Sequence, residues 1–168
     1  MIESIVVMRF LMRAKLKLYF ISISIALGVG GLSAFLVREN LYIYYLLRKP
    51  PLAPPSILFP IVWTLLYILM GVGSARIFLL KAAYPDDVFD ALLNYTLQLI
   101  FNFLWPVIFF NMCTFLFAFI WLTVLWTSIL KMIFKFSKLD TTAAYLQIPY
   151  LMWVTYAGYL NFMIYLLN

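Results

Sequence analysis

No histidine occurs anywhere in these 168 residues, and Cys113 is the only cysteine. A Cys/His metal site, a Ser-His-Asp triad and an intrachain disulfide are therefore excluded by inventory. Charge is scarce too: Asp, Glu, Lys and Arg make up 11% of the chain, against about 25% in soluble domains. No apolar stretch holds paired acids, so hydrolytic and acid–base chemistry has no residues to work with. What is abundant is apolar surface. Hydrophobic residues make up 67% and aromatics 20%, with a mean hydropathy of +1.04. Such a chain is not a soluble globule. Its basic excess of +6 is spread over segment ends and reads as a topology signal, not a nucleic-acid surface.

The chain is organised around residues 54–76, PPSILFPIVWTLLYILMGVGSAR. From Pro50 to Ala75 there are 26 residues without a charge, and a helix crosses a bilayer core with about 20. Pro60 falls near the first turn, where a missing N–H costs least. Positions 60, 63, 64, 67, 71 and 74 share one side of that helix. They place a proline, an indole, two hydroxyls, a glycine and a serine together. A face made for lipid does not need them, so this helix is expected to look inward.

Residues 18–37 form another run of twenty without a charge, after Arg9, Arg13, Lys15 and Lys17. The apolar core of a signal peptide is shorter, about 7–15 residues, so this run reads as a first transmembrane helix. Gly28-Val29-Gly30-Gly31 has no strand or acidic partner to make it a dinucleotide loop. Ala26, Gly30 and Ala34, four apart, would let a neighbouring helix approach closely. The first loop, residues 38–56, carries Arg48-Lys49 and then Pro50, Pro51, Pro54 and Pro55. It is expected to fold over the mouth of a helix bundle, with Tyr42, Tyr44 and Tyr45 at headgroup depth. Asp86, Asp87 and Asp90 are expected at the N-terminus of the next helix, not in a metal site.

Ala91 to Leu130 is forty residues without a charge, right for two crossings with a tight break near Pro106 to Asn111. Asn94, Gln98 and Asn102 recur every four residues, with Trp105 and Phe109 continuing the stripe. Unpaired amides are costly in lipid, so they serve either as interhelical hydrogen bonds or as pocket contacts. In the last span Pro149 should kink the helix. Beyond it Trp153, Tyr156, Ala157, Leu160 and Asn161 share a face, as packing or as a binding wall.

The expected fold is an all-α membrane protein: one domain over 1–168, a bundle of five transmembrane helices with an extended proline-rich first loop. The spans are 18–37, 57–76, 89–108, 111–131 and 142–166. The N-terminal tail and the second and fourth connections hold nine Lys and Arg, the other side three. The positive-inside rule puts the N-terminus in the cytoplasm and the proline loop outside.

Three segments, PPSILFPIVWTLLYILMGVGSA, QLIFNFLWPVIFF and IPYLMWVTYAGYLN, in this order and spacing, resemble the TspO/translocator protein family, over about Tyr44 to Asn168. The resemblance implies an integral membrane protein that binds porphyrin or heme as a ligand without a resident cofactor, acting as sensor, receptor or translocator, often as a homodimer, in a pocket closed by the first loop. It implies ligand contacts from Tyr44, Pro55, Trp63, Tyr67, Gln98, Asn102, Trp105, Phe109, Trp153 and Ala157. Lys49, Pro50 and Pro54 match the family's first-loop pattern, and Arg48 or Lys49 could meet porphyrin carboxylates at the mouth. Light-dependent porphyrin breakdown, an activity within the family, would fall to Trp63 and Trp153. A scaffold for a membrane partner is the plainest alternative. Ile43 and Leu52 stand where the family often has tryptophan. Phe162 and Leu166, with no Lys or Arg after Lys138, depart from the cholesterol pattern of animal members. That favours a bacterial-type member in a cell membrane.

Overall fold

The computed structural model describes the backbone of residues 2–168 and the side chains of residues 12–168; the Arg9 side chain of the basic tail lies outside the described residues. Every regular element among the described residues is a helix, and five helical segments are long and apolar enough to cross a membrane: Met12–Asn40, Leu58–Phe78, Pro85–Asn111, Phe115–Leu139 and Thr141–Leu167. Helix α1 (Ile2–Val37) includes the basic tail. A single 3-10 turn (Arg38–Asn40) and the short α2 (Ile43–Leu46) belong to the first loop. Then come α3 (Leu58–Phe78), α4 (Pro85–Pro106), α5 (Phe115–Leu139), α6 (Thr141–Tyr145) and α7 (Ile148–Leu167).

Each boundary has a local cause. Pro60 sits in the first turn of α3, and its carbonyl accepts a hydrogen bond from Thr64 Oγ1 at 2.8 Å. Pro85 opens α4, with Asp86 and Asp87 in the first turn, where the positive helix end favours them. Asp90 does something else: it pairs with Lys135 of α5 at 2.6 Å. At the other end of α4, Pro106 withholds an N–H, and the next turn (Val107–Asn111) widens to π geometry. That is how a helix absorbs a missing bond near its end. The hairpin turn falls just beyond, at residues 112–114, with Cys113 in the left-handed region at φ 52°.

The last span differs from the kinked helix expected around Pro149. It is two helices. Asp140 caps α6 by accepting the Ala143 N–H at 3.0 Å, the chain turns at Leu146 and Gln147, and Pro149 stands in the first turn of α7. Proline disfavours helical geometry in the residue before it and needs no donor in a first turn. Restarting the helix there costs less than bending a continuous one.

The helices alternate in direction, so one end of the bundle gathers the C-termini of α1, α4 and α7 with the N-termini of α3 and α5. The first loop covers that end. Away from it α3, α5 and α6 pack closely, while an apolar groove of about 750 Å³ opens between α1 and α4. Met70, Ile77, Leu125, Ile129, Met132 and Phe136 are fully buried there. At Gly71 an added Cβ would stand 2.5 Å from the Ile23 Cα, so α1 and α3 touch backbone to backbone. Gly73 likewise leaves room for the Gln147 side chain. Gly30 gives way to the Tyr67 ring, while Ala26 is wholly buried in the core.

Candidate ligand-binding cavity

Beneath the first loop the helices draw apart around a cavity of about 470 Å³, within the range of small-molecule sites, about 300–1,000 Å³. Large rings hold it open. On α3, Phe59, Trp63 and Tyr67 follow one another four residues apart and all face it. On α4 and its π turn, Trp105 and Phe109 do the same, their ring centroids 5.3 Å apart. From α7 come Ala157, Leu160, Asn161 and Ile164, and from α1 Gly30, Ser33 and Ala34. No charged side chain lines it.

The floor is a hydrogen-bonded chain through the apolar core. Tyr67 Oη donates to Asn102 Oδ1 at 2.9 Å, Asn102 Nδ2 donates to Tyr150 Oη at 2.7 Å, and Tyr150 Oη donates to Gln98 Oε1 at 2.8 Å. It ties α3, α4 and α7 together at one level. Gln98, Asn102 and Tyr150 are at most 3% exposed, so each partner matters where no water competes. Gln98 Nε2 ends the chain buried and without a protein partner. Higher on the wall, Trp105 Nε1 donates to Asn161 Oδ1 at 3.1 Å, and Asn161 Nδ2 donates to the Phe115 carbonyl at 2.7 Å. Two of the three third-span amides thus hold helices together: Gln98 and Asn102. Asn94, a turn further out, donates to the Asp90 carbonyl of its own helix.

The first loop forms a lid tied down along its length. Tyr44 Oη donates to the Pro54 carbonyl at 2.8 Å, folding the loop onto itself. From α7, Tyr156 and Tyr159 donate to the carbonyls of Leu52 and Pro51 at 2.6 and 3.0 Å. Asn168 clasps the Arg48 peptide from both sides, accepting its N–H at 2.9 Å and donating to its carbonyl at 3.2 Å. Tyr42 and Tyr45 are exposed, but Tyr44 turns inward and is buried. Its phenol is pushed above the usual value by burial first, then by the nearby hydroxyls of Tyr156 and Tyr45.

Of the ten residues singled out from sequence, Tyr44, Trp63, Tyr67, Asn102, Trp105, Phe109 and Ala157 line this cavity, and Pro55, Gln98 and Trp153 do not. Pro55 contributes its carbonyl to the first turn leading into α3. Gln98 lies under the floor. Trp153 stands behind Phe59, edge to face with it at 6.0 Å, so of the two candidate redox indoles only Trp63 reaches the wall. Among the residues outside that set that build the site are Phe59, Tyr150 and Asn161. The spacing held signals for them. Phe59 is four before Trp63, and Tyr150, Ala157 and Asn161 are seven and four apart on one helical face.

With this geometry in place, the chain can be set beside known proteins. A sequence model of the TspO/MBR family matches residues 20–167. The chain is 35% identical over 148 residues to a tryptophan-rich protein TspO of Chlorobaculum tepidum, covering 88% of this chain and 92% of that protein. It is 35% identical over 143 residues to the tryptophan-rich sensory protein of Cereibacter sphaeroides, covering 85% and 87%. To the translocator protein of Bos taurus it is 31% identical over 134 residues, 79% of each chain.

Proposed function

The chain belongs to the TspO/MBR family, and from that premise we propose that it is an integral membrane porphyrin-binding protein acting as a sensor or translocator. The observation that carries this reading is the roofed cavity of about 470 Å³ whose lining combines rings with amides. A porphyrin is a broad apolar plane. Trp63 and Trp105 offer stacking area, while the amides of Asn102 and Asn161, bonded to Tyr67 and Trp105, hold the wall's rings in place. The names of the relatives from Cereibacter sphaeroides and Bos taurus, a sensory protein and a translocator, support a signalling or transfer role for whatever is bound. Lys and Arg cluster at the end away from the lid, and on that basis we place the lid outside and the N-terminus in the cytoplasm.

Binding of protoporphyrin IX to the purified protein, followed by tryptophan quenching and by porphyrin absorbance, tests this. Saturation at about micromolar concentration, near −8 kcal/mol, is expected. Trp63→Leu should weaken binding about tenfold or more, because large rings dominate such sites. Trp126→Leu should leave it intact, since Trp126 donates to Thr155 away from the cavity. A linear, unsaturable titration, the mark of partition into lipid or detergent, overturns the proposal.

A further inference from the structure

The groove of about 750 Å³ between α1 and α4 lies on the outside of the bundle, with Ser74 and Phe78 of α3 at its floor. Its α1 residues run from Leu18 to Leu32 and its α4 residues from Leu92 to Leu104, so it is about 20 Å long. Ile21, Ile25, Leu32 and Ile100 on its rim are exposed within membrane-spanning helices, so it faces the bilayer. Its hydroxyls gather towards one end. The Ser33–Phe103 hydrogen bond at 2.8 Å sets the register of α1 beside α4, and the Gly71–Ile23 crossing sets it beside α3. Counted from these points, Ser22, Ser74, Tyr95 and Thr96 stand within about 9 Å of one level, at the end away from the lid. Ser74 and Thr96 give their protons to the Gly71 and Leu92 carbonyls of their own helices. The Tyr95 hydroxyl is buried without a protein partner, a costly state in an apolar core.

Two cations flank that end. Lys17 is four residues before Ile21 and so shares its groove face. Lys81 Nζ stands 5.6 Å from the centre of the Phe78 ring, which lines the groove. Among the described residues the ion pairs are Arg38–Glu39, Arg76–Asp140 and Lys135–Asp90; neither lysine takes part. Asp86 and Asp87 fall off the groove stripe, which runs back from Leu92 through Val88 to Pro85. Read inward, the order is cations, hydroxyls, then an apolar channel. Lys17 precedes Ser22 by five residues, about 8 Å, and the polar layer on each side of a bilayer is about 5–8 Å thick. A phospholipid has the same order: phosphate, ester carbonyls, chain. Basic pockets between membrane helices suit anionic head groups. We infer that this groove holds one anionic phospholipid of the leaflet opposite the lid, its phosphate between Lys17 and Lys81, an ester carbonyl accepting the Tyr95 hydroxyl and one chain laid along the groove. A second copy of this chain is a poorer match. A two-fold partner brings the same patch, which sets lysines near lysines and offers Tyr95 chiefly the apolar rim.

The test mixes the full chain in dodecyl maltoside with equal amounts of phosphatidylglycerol and phosphatidylcholine and counts retained lipid by native mass spectrometry. One phosphatidylglycerol per chain, favoured about fivefold, is expected. Lys17→Gln with Lys81→Gln should bring the two lipids to within about twofold. Lys131→Gln with Lys138→Gln, on α5 and outside the groove, should keep the preference. Tyr95→Phe should lower retention of both lipids about threefold and leave the preference, because both carry ester carbonyls. In lipid-free detergent the same variant should melt no lower than wild type, since the hydroxyl has no protein bond to lose. Equal retention of the two lipids by wild type, or a preference that survives the loss of Lys17 and Lys81, overturns the proposal. So does a Tyr95→Phe variant that melts lower without lipid and retains lipid as wild type does, which gives the hydroxyl to the protein. Loss of the bound lipid whenever two chains associate assigns the groove to a second copy and also overturns it.

Discussion

The two halves of this bundle are made from the same five spans and packed by opposite means. In the half away from the lid, glycine sits where helices cross: Gly71 against the Ile23 backbone, Gly73 against Gln147. Met70, Ile77, Ile129, Met132 and Phe136 fill what remains, and Arg76–Asp140 and Lys135–Asp90 fasten the rim. In the lid half, indoles and phenyl rings stand at the equivalent inward positions and keep the helices apart around about 470 Å³. Lipid supplies no hydrophobic drive for one helix to meet another, so close contact depends on small residues and good packing. Along one helix, α3, small residues accompany the close crossing with α1 and large rings line the cavity under the lid.

The most severe way to break this contrast is to force the spacing of the open half onto the closed one. Gly71→Leu must push α3 off α1. Overpacking commonly costs about 1–3 kcal/mol and occasionally more, and a clash with backbone belongs at the upper end. A large fall in the thermal midpoint in detergent, with poor recovery of monodisperse protein, is expected. Gly28→Ala meets nothing within 4 Å and should stay within about 1 kcal/mol of wild type. If both variants melt alike, the close crossing is not what holds the closed half.

A smaller effect is expected at the joint between the halves. Asn102→Leu deprives Tyr67 of its acceptor and Tyr150 of its donor. Interhelical hydrogen bonds in membranes average about 0.6 kcal/mol and reach about 1.7, so the two together should cost about 1–2 kcal/mol in unfolding experiments. Combined with Tyr150→Phe, the losses should fall short of additive, because both changes cut one chain. Strict additivity would show that the floor is a set of separate contacts.

The smallest effect concerns the rim. Burial alone would raise the Asp140 carboxyl, but the Ala143 N–H and the Arg76 guanidinium outweigh it and hold it below its usual 3.8. A depressed carboxyl stabilises the fold at pH above 3.8, and that stabilisation is lost as pH falls through the lower folded value. Asp140→Asn should remove this acid sensitivity at a cost of less than about 1 kcal/mol near neutral pH, because the pair is partly solvated. Porphyrin binding at the far end should not change. If Asp140→Asn shifts it, the two halves are coupled through α7.

Much of the fold was legible in the sequence because lipid leaves the chain few options. Uncharged runs of bilayer length must become helices, and nine Lys and Arg on one side against three on the other assign the connections to two faces. The Pro149 region was misread because proline leaves two outcomes open, a bend or a fresh start. The choice was made by Asp140 and Gln147, whose side chains act on backbone at α6 and, through Gln147 Nε2, reach the Leu69 carbonyl of α3. Trp63, Tyr67, Asn102 and Trp105 were legible as a group because each lies on an inward stripe. Trp153 was not placed correctly, since a periodic face says which way a ring points and not whether another ring, here Phe59, stands in front of it. The inward turn of Tyr44 depends on the Pro54 carbonyl, ten residues on, and no local pattern announces it.

Tyr156 and Tyr159 grip the lid by the carbonyls of Leu52 and Pro51, groups that every amino acid possesses. Attachment of the roof is thus indifferent to its spelling. Leu52 itself, at φ 68°, occupies a conformation that glycine or asparagine would adopt at less strain. Evolution, or an engineer, can rewrite the underside of this roof to suit a new guest while the hinges go on holding the same peptide groups.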